Sequence, residues 1–153
     1  MSPNKIVPLP DLAATEALAA RLAPLLRAGD AVTLQGDLGA GKTALARALL
    51  RSLGVTGDVP SPTFTLVQSY DTARFPVYHF DLYRLKRGDE VEELGWDDAL
   101  AEGVVLVEWP ERAAAFMPRD RLALTLDMDA NGQRRATLET HGAWIARAGD
   151  VWP

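Results

Sequence analysis

The sequence predicts an α/β domain built on a mixed parallel/antiparallel sheet, and three observations carry that expectation. A short apolar, β-prone run passes directly into a glycine loop and then into an amphipathic helical pattern, over residues 31–53. A second uninterrupted apolar run, residues 104–107, has the composition of a strand covered on both faces. Two pairs of strand-like segments are joined by connections short enough for hairpins, which an all-parallel sheet cannot contain. With 153 residues, 48% hydrophobic and 24% charged, one domain with one core over 1–153 is expected.

In chain order, residues 5–9 form a short extended segment. Asp11 then offers a side-chain oxygen to the unpaired amides of a helix running through Leu12, Leu18, Leu22 and Leu25, which Pro24 kinks or divides. Gly29 and Asp30 turn the chain into the first buried strand, residues 31–35. After the glycine loop at 36–41, Leu45, Ala48, Leu49 and Leu53 recur at helical spacing until Gly54, which suits a left-handed cap. Pro60 and Pro62 exclude regular structure around Thr63, because each ring removes a backbone donor and pushes the preceding residue toward extended geometry. Residues 64–70 and 75–82 read as the strands of one hairpin, and 90–102 as a helix stopped by Gly103. Glu108, Trp109 and Pro110 close the apolar strand at 104–107. Leu122, Leu124 and Leu126 alternate within 121–128, and 135–141 alternates likewise across Asn131-Gly132, forming a second hairpin.

The formal net charge of -5 argues against a protein that grips nucleic acid by bulk electrostatics, since phosphate neutralisation needs clustered Lys and Arg. Any RNA contact is expected to be local or made through a partner. The absence of cysteine excludes disulfides, thiolate zinc sites and a cysteine nucleophile. No segment approaches the roughly 20 apolar residues that cross a bilayer, and a cytoplasmic location is the expectation.

The loop Gly36-Asp37-Leu38-Gly39-Ala40-Gly41-Lys42-Thr43 fits G-x-x-x-x-G-K-[ST]. Its glycines let successive amides turn inward around phosphate oxygens, and the helix starting near Lys42 adds its positive dipole end. In this pattern the lysine reaches the β- and γ-phosphates as a point charge, and the threonine hydroxyl supplies one of the few protein ligands that octahedral Mg²⁺ accepts. The expectation is a P-loop nucleotide-binding fold, three-layer α/β/α, holding ATP or ADP with Mg²⁺. Glu108, at the carboxyl end of a strand, is placed to hold that metal through a water or to orient the attacking water. Asp81 shares a strand face with His79 and Val77, and reads either as a second acidic group at the metal or lytic water or as a turn cap. His79 reads as a structural side chain. Thr63 sits in a proline-framed loop of the kind that folds over a γ-phosphate. Trp109 reads as core packing or as an aromatic shelf beside the nucleotide, and Arg134-Arg135 as a solvated face.

The combined string is more specific than the loop alone. Residues 36–43, Ser61-Pro-Thr-Phe-Thr-Leu66, His79-Phe-Asp-Leu-Tyr-Arg84, Glu93-Leu-Gly95 and Val107-Glu-Trp-Pro-Glu111 together resemble the TsaE (YjeE) family, in order from about residue 11 to about 135. The resemblance implies an ATPase required to form threonylcarbamoyladenosine on tRNA, working with TsaD-like and TsaB-like proteins and reaching tRNA only through that complex. Position by position, it implies Lys42 and Thr43 as phosphate and Mg²⁺ contacts and Glu108 as the other metal-side residue. Thr63 and Asp81 fall on switch-like and catalytic positions, Trp109 beside the nucleotide, and Thr15 on an N-terminal nucleotide contact. Two other readings use the same loop. A small-molecule or nucleoside kinase would transfer the γ-phosphate to an acceptor. A guanine-nucleotide switch would be a pure binding module, although the chain contains no Asn-Lys-x-Asp string for reading guanine.

Overall fold

The computed structural model describes residues 4–148; residues 1–3 and 149–153, the ends of the expected 1–153 domain, lie outside the described residues. Seven strands form one sheet in the order β1-β7-β6-β2-β5-β4-β3. The strands are β1 (Lys5–Pro8), β2 (Ala31–Gln35), β3 (Val67–Asp71), β4 (Pro76–Asp81), β5 (Val104–Glu108), β6 (Arg121–Met128) and β7 (Arg134–His141). Four of them, β4, β5, β2 and β6, run parallel, while β3, β7 and β1 are added antiparallel at the edges. The sheet is therefore mixed, with both expected hairpins at its flanks.

The central strands are apolar throughout because both of their faces are covered. On one face lie α1 (Leu12–Leu22) and α2 (Lys42–Ser52). Leu18 and Leu22 of α1, with Leu45 and Leu49 of α2, pack against Val32, Leu34, Leu106, Leu122 and Leu124. The opposite face is covered by α3 (Trp96–Glu102) and two 3-10 segments, Gly88–Leu94 and Pro110–Phe116, which bury Ala31, Phe80, Val105 and Val107. Trp96 anchors this layer, its ring edge-on to Phe80 at 5.0 Å between centroids and its Nε1–H donating to the Phe116 carbonyl. The three layers are thus helices, sheet, and a thinner layer of short helices. No helix among the described residues is long and apolar enough to cross a membrane.

Several local expectations hold and others need correction. Asp11 caps α1 by accepting from the Ala14 amide at 2.9 Å, and Pro24 divides the helix, which continues only as a 3-10 turn over Ala23–Leu25. The helix expected over 90–102 is broken at Gly95, whose φ of 80° is left-handed, so that a 3-10 segment precedes α3. The strand expected from residue 64 begins at Val67, because Leu66 has φ 70°, outside the extended geometry of a strand. Gly103 stops α3 for a different reason from a left-handed cap. Its backbone is extended, and a Cβ there would lie 2.1 Å from the Pro76 carbonyl oxygen. A short fourth helix, α4 (Trp144–Ala148), went unforeseen. Arg147 of α4 pairs with the buried Asp30 at 2.5 Å, fastening the helix to the start of β2.

Candidate functional site

Parallel strands end on the same edge of a sheet, so the carboxyl ends of β2, β5 and β4 form one platform. The glycine loop leaves that edge after Gln35 and re-enters as α2 at Lys42. Gly36 is required by close approach, since a Cβ would meet the Leu126 carbonyl oxygen at 2.5 Å. Gly41 is required by its left-handed φ of 106°. It is also the N-cap of α2, and no side chain caps that end, which leaves the first amides of the helix to another acceptor.

Lys42, only 4% exposed, lies back along the loop, donating to the carbonyls of Gly36 (2.5 Å) and Asp37 (2.8 Å). Its ammonium stands 4.3 Å from the centre of the Trp109 ring. Burial pushes its pKa down from the usual lysine value, against the pull of Glu108, Asp81, Glu111 and Asp37. Trp109 is itself held in the left-handed region at φ 59°, and its ring packs on Tyr83 at 4.7 Å. A non-glycine residue in that region is uncommon and clusters at functional sites.

Thr43 begins α2 beside Lys42, and its hydroxyl donates to Glu108 Oε1 at 2.9 Å, with Oε2 at 3.2 Å. Glu108 ends β5 and is 2% exposed. Its Oε2 also lies 2.6 Å from His79 Nε2, whose ring is completely buried. Asp81, the last residue of β4, is the register partner of Glu108 and is likewise buried. It accepts from the Thr63 hydroxyl (3.1 Å) and the Tyr83 amide (3.0 Å), and Ser61 Oγ sits 2.7 Å from Thr63 Oγ1.

The structure accordingly brings Gly41, Lys42, Thr43, Thr63, Asp81, Glu108 and Trp109 around one cleft of about 230 Å³, with Leu38 and Gly39 at its rim. Thr15 is not part of it. It lines a separate hollow of about 200 Å³ on the other side of Gly41, between α1 and the loop, together with Ala40, Ala44 and Arg134. Asp37, Leu38, Gly39, Ala40 and Arg134 also border a third hollow of about 410 Å³, closed by Leu126, Asp127 and Met128. The glycine loop is the wall shared by all three.

Two residues near the loop were given only structural or solvated roles by the sequence reading. His79 precedes Asp81 by two positions on a strand, and that alternation was the available signal that both share one strand face; His79 does not line the cleft but lies behind Glu108, its Nε2 2.6 Å from Oε2. Arg134 was read as a solvated face; it is exposed, but it borders both hollows beside the loop, and nothing in its neighbours along the chain announces that. Arg135, by contrast, pairs with Asp127 across the hairpin.

The oxygen donors fit a hard divalent cation. Mg²⁺ is commonly held by one or two protein oxygens, completed by phosphates and waters, and a threonine hydroxyl 2.9 Å from a carboxylate oxygen at the loop supplies such a pair.

Comparison with known proteins gives the family of the chain. The sequence model of the family described as "Threonylcarbamoyl adenosine biosynthesis protein TsaE" matches residues 9–136. The tRNA threonylcarbamoyladenosine biosynthesis protein TsaE of Bacillus subtilis (strain 168) is 39% identical over 129 residues, covering 84% of this chain and 80% of its own. The protein of the same name from Synechocystis sp. is 50% identical over 111 residues, covering 68% and 69% respectively. The crystal structure of Bacillus YdiB superposes with a TM-score of 0.84 at 29% identity, covering 99% of this chain and 95% of that one.

Proposed function

Because this chain belongs to the TsaE family of threonylcarbamoyl adenosine biosynthesis proteins, we propose that it is a Mg²⁺-dependent ATPase of that biosynthesis, acting with TsaD-like and TsaB-like proteins to form threonylcarbamoyladenosine on tRNA. The observation that carries the reading is the convergence of Lys42, Thr43, Thr63, Asp81 and Glu108 on one cleft beside an uncapped helix start. Those are a phosphate-binding cation, a metal-binding hydroxyl, a loop hydroxyl and two carboxylates.

The balance of charge argues for the metal. One ammonium stands among the carboxylates of Glu108, Asp81, Glu111 and Asp37. A triphosphate entering such a cleft alone would meet more negative charge than positive. Thr43 and Glu108 would hold a Mg²⁺ here, and the chemistry it would supply is neutralisation of the phosphate charge. On this reading Lys42 leaves the carbonyls of Gly36 and Asp37 for the β- and γ-phosphates. The loop amides and the α2 start receive the phosphate oxygens. Asp81 and Thr63, hydrogen-bonded to each other at the mouth, position the attacking water and report whether a γ-phosphate is present. Arg134 and Thr15 face the nucleoside end, across the loop from the metal side.

The test is to mix the chain with TsaD-like and TsaB-like proteins and measure phosphate release from ATP. Slow release alone, rising on mixing, is expected. No change on mixing would remove the partner role, and phosphate appearing on a metabolite would replace the ATPase with a kinase.

A further inference from the structure

On the same face of β4 as Asp81, two residues earlier, His79 pairs in register with Leu106 of β5, which puts Glu108 diagonally across from it. The ring is fully buried, and its Nε2 is 2.6 Å from Glu108 Oε2. Its other nitrogen, Nδ1, is buried without a hydrogen-bond partner. A proton on Nδ1 would have no acceptor, whereas one on Nε2 points at a carboxylate, which can only accept. The other carboxylate oxygen, Oε1, is the one nearer Thr43 Oγ1, at 2.9 Å against 3.2 Å for Oε2.

We infer that His79 is a positioning residue: its Nε2–H ties down Oε2 of Glu108 and so turns Oε1 toward Thr43 and the cation that these two oxygens serve. The inference rests on the Mg²⁺-ATP reading for its consequence, but the hydrogen bond stands in the nucleotide-free chain. The division of labour follows from the donors available. The Thr43 hydroxyl must serve both Glu108 and a metal, so it cannot alone fix the carboxylate once a metal arrives. The imidazole has no competing partner and is locked by burial on a strand. Outer partners of this kind set the orientation and basicity of metal-side ligands, and losing one commonly costs about 10- to 100-fold in metal affinity.

The test compares wild type with His79→Leu, which keeps apolar bulk without a donor, and His79→Gln, whose amide reaches a similar point with an N–H. Mg²⁺ is titrated calorimetrically into ADP-loaded protein, and ADP is titrated separately in EDTA. Thermal melts verify that each variant is folded. The expected result is a Mg²⁺ affinity about 10- to 100-fold weaker in His79→Leu, largely recovered in His79→Gln, with metal-free ADP affinity the same in all three. In parallel, ¹⁵N NMR of the nucleotide-free wild type should show a protonated Nε2. Equal Mg²⁺ affinity in wild type and His79→Leu would overturn the inference. So would an equal loss in His79→Gln, or an Nε2 found without a proton. A wild type whose nucleotide binding ignores Mg²⁺ would instead overturn the ATPase reading, and the NMR result would still decide the hydrogen bond.

Discussion

Asp81 and Glu108 stand side by side as register partners on β4 and β5, both buried, yet they share no donor. Thr63 and the Tyr83 amide serve Asp81, while Thr43 and His79 serve Glu108. Two neighbouring buried carboxylates repel each other, and separate donor sets are what keep each directed to its own side of the cleft. One is committed to the glycine loop, the other to the proline-framed loop.

That separation predicts different losses from different substitutions. Lys42→Ala should abolish ATP binding in a calorimetric titration, because it removes the cation proposed to meet the phosphates. Glu108→Gln should retain ADP binding while phosphate release falls by about 10²-fold, the scale of losing one preorganised electrostatic group. Equal nucleotide affinity in wild type and Lys42→Ala would refute the site.

Asp81→Asn is expected to lower phosphate release by about 10²-fold, the lower end for a group assisting proton transfer, with ADP affinity little changed. Thr63→Val, which removes the hydroxyl that reaches Asp81, should give a smaller loss of rate and faster proteolytic cleavage within residues 60–66. Were ADP affinity to fall as far as the rate, these residues would be binding ground-state nucleotide instead.

The lowered pKa of Lys42 makes stability depend on pH in a defined direction. In the window between its folded pKa and the ordinary 10.5, the unfolded chain binds more protons than the folded one, so this residue makes stability rise with pH. Below the folded pKa the full cost of burying the ammonium is present. Lys42→Met should lack that rise, so the difference in melting temperature between variant and wild type should shrink toward the wild type's favour as pH climbs through the window. Parallel melting curves across pH would contradict the buried ammonium.

Gly103→Ala places a methyl group against the Pro76 backbone, where no side-chain movement can relieve it. A loss of about 1–3 kcal/mol is expected, which for a chain of this size lowers the melting temperature by about 2–4 °C per kcal/mol. Nucleotide affinity below the melting range should be unchanged, since Gly103 lies at the opposite end of β5 from Glu108. An unchanged melting temperature would contradict the close packing of β4 on the α3–β5 turn.

Elements governed by near neighbours were legible in the sequence. The strand–loop–helix unit fell at Ala31–Gln35 and Lys42–Ser52, the Asp11 cap formed, and the second hairpin turned at Asn131-Gly132. The misplacements have local causes that periodicity does not register. Gly95 interrupts a pattern that looks continuous, and Leu66 takes a conformation that leucine seldom adopts. For Gly103, the residue was legible as a stop but not the carbonyl it must clear.

By itself the sequence determined the chemistry of the glycine loop, because backbone freedom, a lysine and a hydroxyl there act within eight consecutive positions. The sequence also pointed to Glu108 as the metal-side carboxylate, but only the tertiary structure supplied its contact with the Thr43 hydroxyl, 65 residues away, at 2.9 Å. Tertiary structure alone also put His79 behind that carboxylate and set Arg134 and Thr15 on the far side of the loop. The physical reason is that alternation along a strand specifies which face a side chain takes, whereas the neighbouring strand is chosen by packing of the whole sheet. The order β6-β2-β5-β4 is a property of the assembled core, and it is that order which lines up the carboxyl ends of three strands into one site.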